Sequence, residues 1–225
     1  MPNTLPKRPR EKQTTISQPA QIYELKITLR GSKPPIWRRI AVVKNIRLSN
    51  LHQVIQVVMG WGNYHLHQFV IRNRRAKLTR EELSSSSWQE RYEKLIKCRD
   101  RCWSDSRMEL EGAEDEKKMK LCDMAPAVKS NFIYEYDFGD GWEHEIKVVK
   151  IGPPVQGVKY PVCIAGKLAC PPEDCGGIWG YYDMLEILKN PKHKQHKEFV
   201  EWIGGKFDPE CFNLDEVNDT LRRLR

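Results

Sequence analysis

Residues 132–148 read Phe132-Ile133-Tyr134-Glu135-Tyr136-Asp137-Phe138-Gly139-Asp140-Gly141-Trp142-Glu143-His144-Glu145-Ile146-Lys147-Val148. Phe132, Tyr134, Tyr136 and Phe138 fall on alternate positions, and that period of two is the signature of a strand with one face buried. Gly139-Asp140-Gly141 then supplies the small, turn-forming residues of a hairpin. Beyond it Trp142, His144, Ile146 and Val148 alternate with Glu143, Glu145 and Lys147, so a second strand begins at once. Two strands joined by so short a turn are antiparallel neighbours. The rest of the chain is read as what surrounds this hairpin.

Upstream, Tyr23, Leu25, Ile27 and Leu29 alternate with Glu24, Lys26, Thr28 and Arg30 in a first strand, and residues 31–35 turn the chain. Residues 36–43 read as a second strand and 65–72 as a third. Between these two, Leu51, Val54, Ile55, Val58 and Met59 recur at helical spacing behind a cap at Ser49 or Asn50, and Gly60 ends that helix. Downstream of a Pro/Gly-rich stretch at 152–177, Tyr181, Met184, Leu185 and Leu188 mark one helix. Phe199, Val200 and Ile203 mark another that stops at Gly204-Gly205. Asn213 and Glu216, spaced as a capping box, open the last.

Two segments stand apart. Residues 1–20 mix Pro, Thr, Gln and basic residues without apolar periodicity and read as a disordered basic tail. Residues 79–125 read as a charged helical insertion. Thr79 with Glu82 and Ser87 with Glu90 have capping-box spacing, and Trp88, Tyr92, Leu95 and Ile96 form a narrow apolar stripe. The expected architecture is a single α+β domain over residues 21–225: an antiparallel sheet of about five strands with helices packed on one face.

A chain of 225 residues buries enough surface to be stable without disulfides or metal. Seven cysteines, an odd count, accompany no apolar run long enough for a signal peptide or a membrane span, which points to free thiols in a reducing cytoplasm and no membrane partner. The net charge of +8 is unevenly spread. Residues 21–79 carry eleven basic side chains and one acidic, whereas residues 80–130 carry eleven basic and twelve acidic. Lys33, Arg38, Arg39, Arg72, Arg74 and Arg75 are therefore the candidate contacts to a nucleic acid, or to a protein within a nucleoprotein complex. Walker A, Rossmann, Gly-x-Ser-x-Gly and His-Glu-x-x-His patterns are all absent, so the corresponding enzyme classes are not indicated.

Three constellations have chemical potential. His65 and His67, two apart in a strand, share a face, and His144 lies on the apolar face of its own strand; three converging imidazoles suit zinc or a general base. Burial with individual hydrogen-bond partners is the competing account, and it follows if the strands carrying these residues are not adjacent. Asp137 falls opposite the aromatic face, where it needs Arg38 or solvent as partner, while Asp140 beside Trp142 is ordinary hairpin chemistry. In Pro171-Pro172-Glu173-Asp174-Cys175-Gly176-Gly177, the adjacent Glu173 and Asp174 could hold a divalent cation. Cys163, Cys170 and Cys175 are separated by seven and five, which fits no standard zinc knuckle. No cofactor is expected, and a divalent metal is compatible with the His/Asp/Glu set.

Several of these runs recur together. Tyr23-Glu24-Leu25-Lys26-Ile27, Pro35-Ile36-Trp37-Arg38-Arg39, Leu51-His52-Gln53-Val54-Ile55-Gln56, His65-Leu66-His67-Gln68-Phe69, Tyr134-Glu135-Tyr136-Asp137-Phe138-Gly139-Asp140-Gly141-Trp142, the 171–177 loop and Phe207-Asp208-Pro209-Glu210 occur in this order. Over residues 21–224 the chain thus resembles the plasmid pRiA4b ORF-3-like family. The resemblance implies an α+β fold and an accessory protein of plasmids and insertion elements, with a resolvase-like label but no catalytic residues to carry over. A serine in a recognisable recombinase setting is absent. The expectation is a binding protein for nucleic acid or a nucleoprotein partner rather than an enzyme. A metal-assisted hydrolase using His65, His67, Asp140, His144, Glu173 and Asp174 is the alternative, and an interaction adaptor using the charged insertion a third.

Overall fold

The computed structural model describes residues 20–72 and 100–224. The elements are β1 (Ile22–Leu29), β2 (Trp37–Val43), α1 (Leu48–Met59), β3 (His67–Ile71), β4 (Arg101–Ser104), a 3-10 turn (Ser106–Met108), β5 (Glu114–Asp115), α2 (Leu121–Met124), β6 (Asn131–Tyr136), β7 (Trp142–Gly152), β8 (Val162–Lys167), α3 (Gly177–Lys189), α4 (His196–Trp202) and α5 (Leu214–Arg223). The strands form one sheet in the order β5-β4-β3-β6-β7-β1-β2-β8.

The α+β character holds, but the expectation of about five antiparallel strands does not. The sheet has eight strands and is mixed, because β4 and β5 pair in parallel while the other pairs are antiparallel. The five strands legible in the sequence are its contiguous centre, β3-β6-β7-β1-β2. The three missed strands lie beyond it at both edges. β4 and β5 are short, and all three sit in stretches dominated by charge (β4, β5) or by Pro and Gly (β8), where edge strands need little apolar alternation. Within 100–125, part of the expected helical insertion, the chain forms β4, β5 and turns, with the four-residue α2 its one α-helix. The other expectations for the insertion (Trp88, Tyr92, Leu95, Ile96 and both capping boxes) and the tail at 1–19 lie outside the described residues.

Alternation along the central strands divides the sheet into two faces. Leu25, Ile27, Ile40, Phe69, Tyr134, Ile146 and Val148 are fully buried and share one core with Leu51, Ile55 and Val58 of α1, Met184 of α3 and Leu221 of α5. The opposite face carries ion pairs: Glu24 meets Arg39 at 2.6 Å and Lys150 at 3.4 Å, and Arg72 meets Glu143 at 2.6 Å and Glu135 at 3.3 Å. The β6–β7 hairpin pairs Tyr136 with Trp142 and Tyr134 with His144, as the alternation requires.

Helix boundaries follow local hydrogen bonding. α1 begins at Leu48, ahead of Ser49 and Asn50, because Arg47 bridges Lys120 and the Leu48 amide donates to Met119 O. It ends at Gly60 in the left-handed conformation (φ 80°) that glycine adopts without cost. Asn213 caps α5 by accepting from the Glu216 amide. No helix among the described residues is long and apolar enough to cross a membrane.

Candidate metal centre

Three loops meet at one end of the sheet: 60–66 between α1 and β3, the hairpin loop 137–141, and 168–176 ahead of α3. β6 stops at Tyr136, so Asp137 is not in mid-strand as alternation suggested. It adopts φ 54°, a left-handed conformation that a short acid tolerates by bonding its own backbone. Its Oδ1 accepts from the amides of Gly139 (3.0 Å) and Asp140 (3.3 Å). Its partner is therefore local backbone and His65, not Arg38. The break in alternation also turns Phe138 outward, where it is exposed.

His65 precedes β3 and is aimed between two carboxylates, with Nε2 3.2 Å from Asp174 Oδ1 and 3.7 Å from Asp137 Oδ2. That nitrogen is sealed from solvent and makes no hydrogen bond. Asp174, like Asp137, sits at positive φ (60°). One donor atom from each of the three side chains lies within 4.8 Å of the others. Two donors bound to one ion at 2.0–2.2 Å stand roughly 3.2–3.6 Å apart; the two His65 separations, 3.2 and 3.7 Å, are close to that range, and the full set, within 4.8 Å, is somewhat wider. Asp137 is buried and Asp174 largely exposed, which leaves one side open.

The remaining polar residues hold the loops together. Glu173 accepts from the Gly62 amide (2.6 Å) and from the Tyr136 hydroxyl, which in turn accepts from the Tyr64 amide (3.1 Å). Burial, reinforced by Glu173, keeps the Tyr136 phenol well above its ordinary range. Asp140 Oδ2 accepts from the Gly176 amide (3.2 Å), and its carbonyl stands only 2.4 Å from where a Cβ on Gly177 would lie. Asp140 and Glu173 thus lock the hairpin and the α1–β3 loop to the 168–176 loop, while Asp137 and Asp174 face His65.

The three imidazoles do not converge. β6 lies between β3 and β7, so His67 pairs across to Tyr136 and Tyr134 to His144. His144 is fully buried against Trp61 and Tyr134, its Nδ1 3.3 Å from Tyr134 O, and burial lowers its pKa to about 3. His67 is buried against Glu116 at 2.9 Å. Trp142 is buried beneath the hairpin, 5.8 Å from the Trp61 ring.

Of the basic set, Arg38 is buried (2% exposed) and donates to the carbonyls of Val58, Trp37 and Lys167 at 2.8–3.0 Å. Arg39 and Arg72 are ion-paired, Lys33 is exposed, and Arg74 and Arg75 lie outside the described residues. Two residues that sequence reasoning passed over are His52 and Glu116. His52 had a signal, because it shares the buried stripe of α1 with Leu48, Leu51 and Ile55. Glu116, the last of three consecutive acids, had none.

An α+β sheet that gathers a His/Asp/Asp cluster from three loops at one end defines the class. The chain belongs to the plasmid pRiA4b ORF-3-like protein family, whose model matches residues 21–216. It is 36% identical over 207 residues to the uncharacterized protein y4hQ of Sinorhizobium fredii (strain NBRC 101917 / NGR234), covering 91% of this chain and 93% of that protein. It is similar also to the crystal structure of the protein of unknown function MM3350 from Methanosarcina mazei Go1. There the TM-score is 0.72 and the identity 36%, over 88% of this chain and 98% of that one.

Proposed function

We propose that the loop end of the sheet binds one divalent cation through His65, Asp137 and Asp174, and that the chain is a metal-assisted hydrolase. The observation that carries this reading is the convergence of His65 Nε2 with one oxygen of each aspartate inside 4.8 Å. One imidazole and two carboxylates suit a cation of the zinc, manganese or iron(II) kind. Three protein ligands with an exposed side leave positions for water and substrate, as hydrolytic centres do. A cation held by His65, Asp137 and Asp174 would supply a water of lowered pKa for attack on an ester, whose leaving oxygen would depart as the new bond forms and take up a proton.

The accessory-protein reading, with nucleic acid as partner, draws support from the basic excess of residues 21–79. Fewer guanidiniums of that segment serve it than their number suggests, since Arg38, Arg39 and Arg72 have partners within the chain.

Calorimetric titration of metal-free protein with Zn²⁺, Mn²⁺ and Mg²⁺ tests the proposal. One equivalent is expected to bind, with at least a tenfold loss in Asp137→Asn and Asp174→Asn. Asn tolerates the left-handed backbone, so both variants should fold. Failure of every cation to bind the wild-type chain, or equal binding by the double variant, overturns the site. Hydrolysis of a phosphodiester or carboxylic ester probe, dependent on the same cation, tests the activity.

A further inference from the structure

Two of the same three loops, and the helix that follows the third, carry large aromatic rings in water. Tyr64, next to His65, is 83% exposed; Trp179, in the first turn of α3, is 82% exposed; Phe138, next to Asp137, is also exposed. Isolated exposed apolar residues need no explanation, but three rings, two on loops that build the site and one in the helix turn that follows its third loop, form a pattern. Their closeness to the cluster follows from hydrogen bonds. Gly62 is tied to Glu173 and Gly176 to Asp140, so Tyr64 and Trp179 flank the loop junction.

Tyr64 is also held in place. Its Cε2 lies 2.3 Å from where a Cβ on Gly62 would be, so its ring lies against the Gly62 backbone in space that only glycine leaves open. Its amide donates to the Tyr136 hydroxyl, which fixes the ring's root. An exposed ring with a fixed root is a stacking platform and not a frayed side chain.

Resting on the cation reading above, we infer that the site takes a ligand joining a phosphate to a planar base, a nucleotide unit, with the phosphate on the cation and the base stacked on Trp179 or Tyr64. A divalent cation with three protein ligands keeps coordination positions on its open side, which phosphate oxygens can fill. The rings on the rim supply what an unpaired base uses and a simple phosphate does not, since every base has a π-face. A free nucleotide and the end of an unpaired strand share this chemistry.

The test uses the full chain loaded with Mn²⁺, whose binding is first measured alone. Adenosine 5′-monophosphate, ribose 5-phosphate and a 5′-phosphorylated ten-residue oligodeoxyadenylate are then titrated into wild type, Trp179→Ala, Tyr64→Ala and Asp137→Asn. Both aromatic residues are exposed, so their alanine variants should fold, which a thermal melt checks. At least one of the two is expected to weaken the base-bearing ligands by about 5- to 100-fold, the range of one lost stacking contact. Ribose 5-phosphate should be unaffected by either, and Asp137→Asn should weaken all three ligands. Tighter binding by the oligonucleotide marks the strand as the source, and tighter binding by the monophosphate marks the free nucleotide. If Mn²⁺ binds but ribose 5-phosphate binds as well as the monophosphate, or neither aromatic variant changes affinity, the inference is overturned while the cation site stands. If Mn²⁺ itself does not bind, the cation reading falls and this inference with it.

Discussion

The imidazoles of His52 and His67 lie face to face in the core, 3.5 Å between ring centroids and 2° from parallel. Two stacked rings this close cannot both carry charge cheaply, and the partners decide which is neutral. His67 Nε2 meets the buried carboxylate of Glu116 at 2.9 Å. His52 Nε2 faces Asn63 Oδ1 at 2.8 Å and must donate to it, so Nδ1 accepts from the Tyr134 hydroxyl at 2.7 Å, which itself receives the Gln56 amide at 2.9 Å. His52 is thus held as a neutral tautomer. Burial, with His67 beside it, lowers its pKa to about 3.

Acid should destabilise the fold well before the carboxylates titrate. His52 and His144 both have folded pKa values lowered to about 3, against an ordinary value of 6.5. Between those values the unfolded chain binds a proton at each position that the folded chain does not. Their neutral burial is therefore compatible with full stability above pH 6.5, and stability falls as pH drops from 6.5 toward 3. The slope is about 1.4 kcal/mol per pH unit for each group. Urea midpoints measured across this window should shift accordingly, and His144→Leu should flatten the slope by about one proton. A pH-independent midpoint from 6.5 to 4 would contradict the neutral assignment.

The two buried histidines also show what the sequence could carry. Alternation placed His144 on the apolar face correctly and made convergence with His67 conditional on strand adjacency. Adjacency is set by a long-range choice, the insertion of β6 between β3 and β7, which no local period encodes. The same limit hid Glu116, whose buried partner His67 lies 49 residues away in the chain. Asp137 was singled out because an acid fits poorly in a strand, and that discomfort was real. Its resolution, a left-handed turn that ends β6 one residue before Asp137, is decided by bonds to Gly139 and Asp140 that periodicity cannot express.

Neighbouring arginines on β2 should differ sharply when replaced. Arg38→Met removes a buried guanidinium that satisfies three carbonyls and stacks 4.2 Å over the Phe212 ring. A loss of about 2–4 kcal/mol is expected from unmet carbonyls and lost packing. Arg39→Ala removes a half-exposed pair with Glu24 and should cost about 0–1 kcal/mol. Denaturant titration of the two variants side by side checks this. Equal losses would mean that Arg38 is not anchored as described.

Gly177→Ala should disable the junction of the hairpin with the 168–176 loop. Gly177 has φ 68°, and an added Cβ would stand 2.4 Å from the Asp140 carbonyl oxygen, a backbone atom that cannot swing aside. Strain and displacement together should cost about 2 kcal/mol or more. Because Asp140 also holds the Gly176 amide, cation affinity should fall with stability. Gly141→Ala, at φ 68° but with open space around it, should show the strain alone and keep the cation site.

One of the anchors of the loop that carries His65, the side chain of Asn63, can be cut without touching the cluster. Asn63 stands at φ 62° and is held by His52, two residues before His65 in the chain. Asn63→Gly keeps the left-handed backbone accessible and removes only the amide, so stability should change little beyond the lost hydrogen bond, about 1 kcal/mol. If the anchor positions His65, cation affinity should fall about 10- to 100-fold, the usual effect of losing a group that orients a ligand. His52→Phe preserves the stack on His67 but leaves Asn63 Oδ1 without its donor and the Tyr134 hydroxyl without its acceptor, only the Gln56 contact to that hydroxyl remaining. It should lose more stability, about 1–3 kcal/mol, together with a similar drop in affinity. Urea unfolding and calorimetric cation titration on the same preparations separate the two effects. Asn63→Gly with unchanged affinity would assign the anchor to stability alone and leave the placement of His65 to the Glu173 and Tyr136 contacts.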